Sequence, residues 1–174
     1  MKIYIGFSKP KNHIFPIFSW LIRLFEQTEY SHVYVRWYSK GAQVQVCYEA
    51  SGNEVKFLSN KVFLNKVNPV YEFELEITHS QYKKLLHFCM SNAGSKYGLK
   101  QVFGILLVRL LNLKKNPFSD NRKSWVCSEL AGALLESVYG KSLNLDLDIA
   151  GPKDIYKYLN SKDFKKIDYN INNL

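Results

Sequence analysis

The chain has 174 residues, 47% hydrophobic and 22% charged, enough for one sizeable core and too few for two full domains, so a single domain over 1–174 is expected. Twenty-four Lys and Arg against 15 Asp and Glu leave a net charge of +9, which suits an anionic partner such as lipid headgroups or a cell-wall polymer and equally a solvated basic face with none. The three cysteines, Cys47, Cys89 and Cys127, are odd in number and spaced like neither a disulfide framework nor a zinc site, so reduced thiols without metal or cofactor are expected.

"KIYIGFS" alternates and reads as a strand. The N-terminus lacks the apolar region and small-residue cleavage site of a signal peptide, which fits a cytoplasmic location or delivery by a phage particle or secretion system. After Pro16, "IFSWLIRLFEQ" has helical spacing, with Ile17, Trp20, Leu21, Leu24 and Phe25 on one apolar stripe and Arg23 and Glu26 off it. "YSHVYVRWY" and "QVQVCYEA" are β-rich runs around the turn-like "SKGA", and "EVKFLS" and "VYEFELEI" are further strands. "THSQYKKLLHFCMSNA" is a helix capped by Thr78 or Ser80, and a second helix spans about Leu99 to Leu113. Its apolar stretch is too short to cross a hydrocarbon layer of about 30 Å and suits a buried helix or one lying on a membrane. A polar loop "KKNPFSDNRK" leads to a helix opened by "SWVCSEL", then to a short helix "GPKDIYKYL" and a polar tail. The order predicts an α+β fold, an antiparallel sheet first and helices mostly after it.

A two-residue turn at Lys40–Gly41 would set Trp37 opposite Val44, Val35 opposite Val46 and Val33 opposite Tyr48 on an apolar face. The other face would pair Arg36 with Gln45, Tyr34 with Cys47 and His32 with Glu49. Directly opposed Cβ atoms lie about 4.5–5.5 Å apart, so Glu49 would hold one imidazole nitrogen. A register shift of two keeps His32 and Glu49 diagonal neighbours on that face, whereas an odd shift would bury the Arg and Gln face. Such a pair is also compatible with two simple surface neighbours.

With Ser124 as N-cap, Cys127 falls at the third helical position, where free N–H groups and the helix dipole favour a thiolate and an oxyanion. Ala131, Leu134 and Leu135 place it on an inward stripe, where a lone cysteine is equally a packing residue. Cys89, within "LLHFCM", reads as a packing thiol, and Cys47 is intermediate.

The helix before "YSHVYV", the strand ending in "CYEA", "AGSKYG", the "WVCSEL" box and "GPKDIY" stand in an order that resembles the circularly permuted branch of NlpC-type papain-like cysteine hydrolases. That branch includes the YiiX-type amidases and, more distantly, lecithin:retinol acyltransferase-like enzymes. The resemblance covers about Trp20 to Tyr156 and implies a permuted papain-like fold, an antiparallel sheet or half-barrel packed against helices with the nucleophile at a helix N-terminus. It implies Cys127 as nucleophile, His32 as general base and Glu49 as the residue orienting it. Tyr97 matches a site-lining tyrosine; Gly98 stands where the family often has Asp. Tyr34 is a second candidate for substrate contact.

The implied chemistry is attack of the Cys127 thiolate on a carbonyl to give an acyl-enzyme. An amidase or peptidase acting on a peptide or isopeptide-like bond is the first expectation. A lipid-directed acyltransferase or thioesterase using the same site is the second, suggested by the charge and the apolar segments, and a silent binding protein of the same fold is the third. His13, His79 and His87 lack a comparable constellation and read as structural. The basic clusters "KKNPFSDNRK" and "SKDFKK" read as solvated loops, and no nucleic-acid module is recognisable.

Overall fold

The computed structural model describes residues 1–11 and 16–169; His13 lies outside them. In chain order the elements are β1 (Lys2–Pro10), α1 (Pro16–Glu26), β2 (His32–Ser39), β3 (Val44–Ser51), β4 (Glu54–Ser59), α2 (Asn60–Leu64), β5 (Val67–Glu76) and α3 (His79–Asn92). They continue with β6 (Lys96–Tyr97), α4 (Leu99–Leu111), β7 (Ser124–Trp125), α5 (Cys127–Tyr139), α6 (Pro152–Asn160) and β8 (Lys165–Asp168). The fold is α+β, with a curled eight-stranded half-barrel in the order β7-β6-β4-β3-β2-β1-β5-β8. Every strand pair is antiparallel except β6 with β7.

The long elements follow from local chemistry. Alternation along β1 buries Ile3, Ile5 and Phe7 completely. Thr78 caps α3 in a capping box: its hydroxyl accepts from the Gln81 N–H while the Gln81 side chain accepts from the Thr78 N–H. Asn112 ends α4 in the left-handed conformation. Pro152 begins α6, where the Asp154 carboxylate accepts from the Gly151 N–H at 2.9 Å. The three short elements β6, β7 and α2 have no run long enough to show a period, and β8 sits within a stretch that reads as polar tail. In β8, Lys165 and Lys166 are ladder residues opposite Glu74 and Phe73, so that basic cluster is not a loop.

The β2–β3 hairpin closes with Ser39 opposite Val44, around a four-residue loop in which Gln43 has a φ of 51°. Val35 therefore faces Tyr48 and Arg36 faces Cys47, an even shift from the two-residue turn. The binary face is preserved, and His32 and Glu49 become diagonal neighbours. The opposite face is also covered: Tyr34 and Cys47 are buried against Phe63 of α2, with Leu58, Leu64 and Val67 around them. Cys47 is thus a core residue rather than intermediate. Gly6 admits the Tyr34 ring directly across its Cα, where a Cβ would overlap the ring.

α5 is the central helix. Every residue from Cys127 to Leu135 is buried, and Leu130, Ala131, Leu134 and Leu135 share one core with Val33, Val35, Leu85, Cys89 and Ile155. Gly132 allows the Leu147 side chain to close onto the helix. α1 behaves oppositely. Phe18 and Ile22 face the protein, meeting Val102, Ile105, Val126 and Cys127, whereas Ile17, Trp20, Leu24 and Phe25 of the apolar stripe are exposed and Glu26 is buried. This inverts the usual rule that the apolar stripe faces the core.

The Tyr34 packing gives a test of the sheet: Gly6→Ala should lower stability by about 1–3 kcal/mol in urea denaturation, the usual cost of overpacking. In a Tyr34→Leu background, where the obstructing ring is gone, the same glycine substitution should cost less.

Candidate active site

Four separate elements converge at the N-terminus of α5. β7 pairs in parallel with β6, Tyr97 opposite Trp125, and the Gly98 N–H donates to the Trp125 carbonyl at 3.0 Å. This ladder draws Ser124 and Trp125 into extended conformation, so the helix begins two residues later than a Ser124 cap would place it. Val126 is the N-cap and makes no side-chain capping bond; Cys127 is the first helical residue rather than the third. The Ser124 hydroxyl instead donates to Asp120 Oδ2 at 2.6 Å, and Asp120 Oδ1 accepts from Gln101 Nε2 at 2.7 Å. The first main-chain bond of the helix runs from Leu130 N–H to the Val126 carbonyl. The amides of Cys127, Ser128 and Glu129 therefore have no partner within the helix.

His32 opens β2 and Glu49 lies on β3. His32 Nε2 and Glu49 Oε2 are 2.7 Å apart, and Glu49 Oε1 accepts from the Ser51 hydroxyl at 2.6 Å. With Nε2 engaged, Nδ1 is the ring nitrogen left to face Cys127. Burial opposes charge on the ring, but hydrogen bonding to Cys127 and Glu49, together with their negative charge, outweighs it and raises the His32 pKa to about 10. Burial likewise opposes charge on Glu49, yet hydrogen bonding and charge from His32, with the Ser51 hydroxyl and Lys56, lower its pKa. The pair is an ion pair with side-chain exposures of only 14% and 4%, screened from water enough to hold its geometry.

Tyr97 stands beside them. Burial raises its pKa, and the charges of Cys127 and Glu49 add to the rise, so the phenol stays protonated. Cys127, Tyr97, Val126 and Ser128 line a narrow cleft with a cavity volume of about 20 Å³, whose walls are Ile22 and Phe25 of α1 with Val102, Ile105 and Leu106 of α4. Its polar end holds Glu26 and Arg109. The Glu26 carboxylate lies against the Cα of Gly151 and accepts from the Lys153 N–H at 2.9 Å; burial raises its pKa to about 7 against the effect of that bond. The Ser128 hydroxyl donates to the Ala150 carbonyl at 2.7 Å and so ties the loop before α6 to α5.

The structure therefore brings Cys127, His32, Glu49 and Tyr97 together. Tyr34 is not brought to the cleft. Although it shares a strand face with His32, α2 covers that level of the sheet, and the Tyr34 hydroxyl donates to the buried Glu72 at 2.8 Å, beside the Arg36–Glu72 ion pair. His79 and His87 are exposed on α3. Three contributors escape sequence reading. Ser51, two residues along the strand from Glu49, was accessible through the period of two. Glu26 stands off the apolar stripe of its helix, and Ser128 lies inside an apolar run. Among the described residues no group of three or more His, Cys, Asp or Glu side chains could hold a metal ion.

The sequence matches no protein-family model and no curated protein.

Two outcomes follow from the electrostatics. All three cysteines are free and buried, but burial pushes the Cys47 thiol up to about 12 and raises Cys89 as well, while Cys127 alone borders a cleft beside an imidazolium. Iodoacetamide followed by peptide mass mapping should modify Cys127 first, with Cys47 and Cys89 reacting only on unfolding. For stability, the raised His32 pKa contributes fully below its ordinary 6.5 and is lost as pH rises through about 10. The lowered Glu49 pKa contributes above its ordinary 4.5 and is lost as pH falls. The Tm gap between wild type and Glu49→Gln should therefore be widest between those two ordinary values and shrink toward acid and toward pH 10; a pH-independent gap would contradict the pair.

Proposed function

We propose that this chain is a cysteine-dependent hydrolase that cleaves an amide bond, peptide or isopeptide-like, through an acyl-enzyme on Cys127. The reading includes a permuted papain-like arrangement of the α+β fold, with the histidine strand preceding the nucleophile helix. The observation that carries it is the contact chain Glu49–His32–Cys127, closed at 2.7 Å on the carboxylate side and ending on the first residue of a buried helix.

In this mechanism the imidazolium of His32 and the thiolate of Cys127 form the resting pair. Sulfur attacks the carbonyl carbon, and the developing oxyanion takes hydrogen bonds from the unpaired first-turn amides, that of Cys127 foremost. Each such donor contributes about 2.7–4 kcal/mol where it has been removed in a comparable site. As the C–N bond breaks, His32 gives its proton to the leaving amine and becomes the neutral base. It then removes a proton from water, which attacks the thioester and releases the acid. Glu49 keeps the ring oriented and stabilises its positive charge, and Ser51 orients Glu49. Tyr97, held neutral, supplies a phenolic donor at the cleft wall.

A second reading, transfer or hydrolysis of a lipid-derived acyl group, is favoured by one specific feature: apart from Glu26 and Arg109, the cleft wall opposite Cys127 is aliphatic and aromatic. Both readings share the acyl-enzyme.

A carbonyl-directed electrophilic probe should add once per chain at Cys127, and Cys127→Ala should abolish the adduct. His32→Ala should slow its formation by about 100-fold or more, the usual range for a positioned base. Because the imidazolium delivers the proton to the leaving group, kcat/KM on an amide or thioester substrate should fall as pH rises through about 10. Glu49→Gln removes a charge that raises His32 and should move that limb to lower pH. An unchanged limb in Glu49→Gln would overturn the orienting role.

A further inference from the structure

The apolar stripe that α1 turns away from the core is unpartnered, and it is not alone. Ile17, Trp20 and Leu24 are 67%, 54% and 53% exposed and recur at helical spacing along one face. On α4, Leu110 and Leu111 are 61% and 59% exposed, and Phe103 projects from the same helix to meet Phe118 with ring centroids 6.0 Å apart. Most of the exposed large apolar side chains of the described residues lie on these two helices and the loop after α4. The helices pack on each other through Phe18 and Ile22 against Val102 and Ile105, and the cleft to Cys127 runs along this seam. Phe25 belongs to both, lining the cleft while remaining 38% exposed. The apolar surface is therefore continuous with the mouth of the site.

Charge selects the occupant. α4 contains no acidic residue, and the single acid of α1, Glu26, is buried. The cations around the surface are Arg23 and Lys100 on the helices, with Lys114 and Lys115 exposed just beyond the end of α4, while Arg109 is held in an ion pair with Asp154. Leucine, isoleucine, phenylalanine and tryptophan flanked by lysine and arginine, with no exposed acid on either helix, is the composition of a face that enters a headgroup layer while its cations meet lipid phosphates. Among the described residues no helix is long and apolar enough to cross a membrane.

We infer that the outer faces of α1 and α4 form a docking surface for an anionic lipid bilayer, which seats the mouth of the Cys127 cleft at the membrane. In the acyl-enzyme reading, on which this consequence rests, the substrate is then one held at or in the bilayer, its apolar part entering between Phe25 and Val102. Docking itself does not require Cys127.

The test is flotation of the full chain with phosphatidylcholine vesicles, with and without phosphatidylserine, read in parallel by Trp20 fluorescence. Trp37 and Trp125 are buried, so a blue shift and loss of aqueous quenching report on Trp20. Wild type and Cys127→Ala should bind phosphatidylserine vesicles equally at low salt, more weakly in salt and weakly without phosphatidylserine. The pair Trp20→Ser with Leu24→Ser, and separately Leu110→Ser with Leu111→Ser, should each weaken binding about tenfold or more with an unchanged Tm, because exposed side chains are altered. Lys114→Glu with Lys115→Glu should weaken it about tenfold on anionic vesicles alone. Absence of binding at low salt, or binding that survives both serine pairs, would overturn the proposal. So would a wild-type dimer that these pairs convert to monomer without vesicle binding, which would assign the face to a second copy. Normal docking by a chain with no thiol chemistry would refute the hydrolase reading and leave the surface intact.

Discussion

Much of the site depends on one diagonal contact in the β2–β3 hairpin. A four-residue loop sets Arg36 opposite Cys47, and that register brings Glu49 within 2.7 Å of His32 while leaving the second imidazole nitrogen for the thiol. Because side chains alternate along a strand, a shift of one residue between the two strands would put His32 and Glu49 on opposite faces, and turning β2 over would place Val33, Val35 and Trp37 where α2 now packs. The hydrophobic face thus protects the register that joins His32 to Glu49. The energy that specifies the site comes from burying valines and tryptophan, not from the ion pair.

The same separation of duties holds at Cys127. α5 is buried along its whole first half, so its N-terminus has little freedom to move relative to the sheet. Its start is decided by the two-residue pairing of β6 with β7, which extends Ser124 and Trp125 and leaves Cys127 as the first helical residue. Ser128 and Glu26 then fasten the loop before α6 and its first turn against this end, through the Ala150 carbonyl and the Lys153 N–H. The unpaired amides, the thiol and the aliphatic cleft are consequences of that one junction.

α1 and α4 form the contrasting part of the molecule. They wall the cleft with one side and present apolar side chains outward with the other, whereas the half-barrel and α5 follow the ordinary inside-out distribution. Buried carboxylates cluster where polar chain must enter the core, as at Glu72 with Arg36, Tyr34 and Tyr169, and there every carboxylate oxygen has a partner. Such clusters fix the sheet edge without lining any cleft.

Local pattern was sufficient for the long elements, for the α+β class and for the pairing of His32 with Glu49, because periods of two and of about 3.6 are written in neighbouring residues. It was also enough to mark Cys127 as a helix-start thiol, though not at which position. What local pattern lacks is any record of what covers a face. Tyr34 and Cys47 look like companions of His32 until α2, five residues long, closes over them. The apolar stripe of α1 reads like any core stripe until α4 occupies its other side. Those outcomes, and the meeting of Cys127 with a strand far earlier in the chain, were decided only by tertiary packing, since burial is a property of which surfaces meet and not of any residue's own neighbours in sequence.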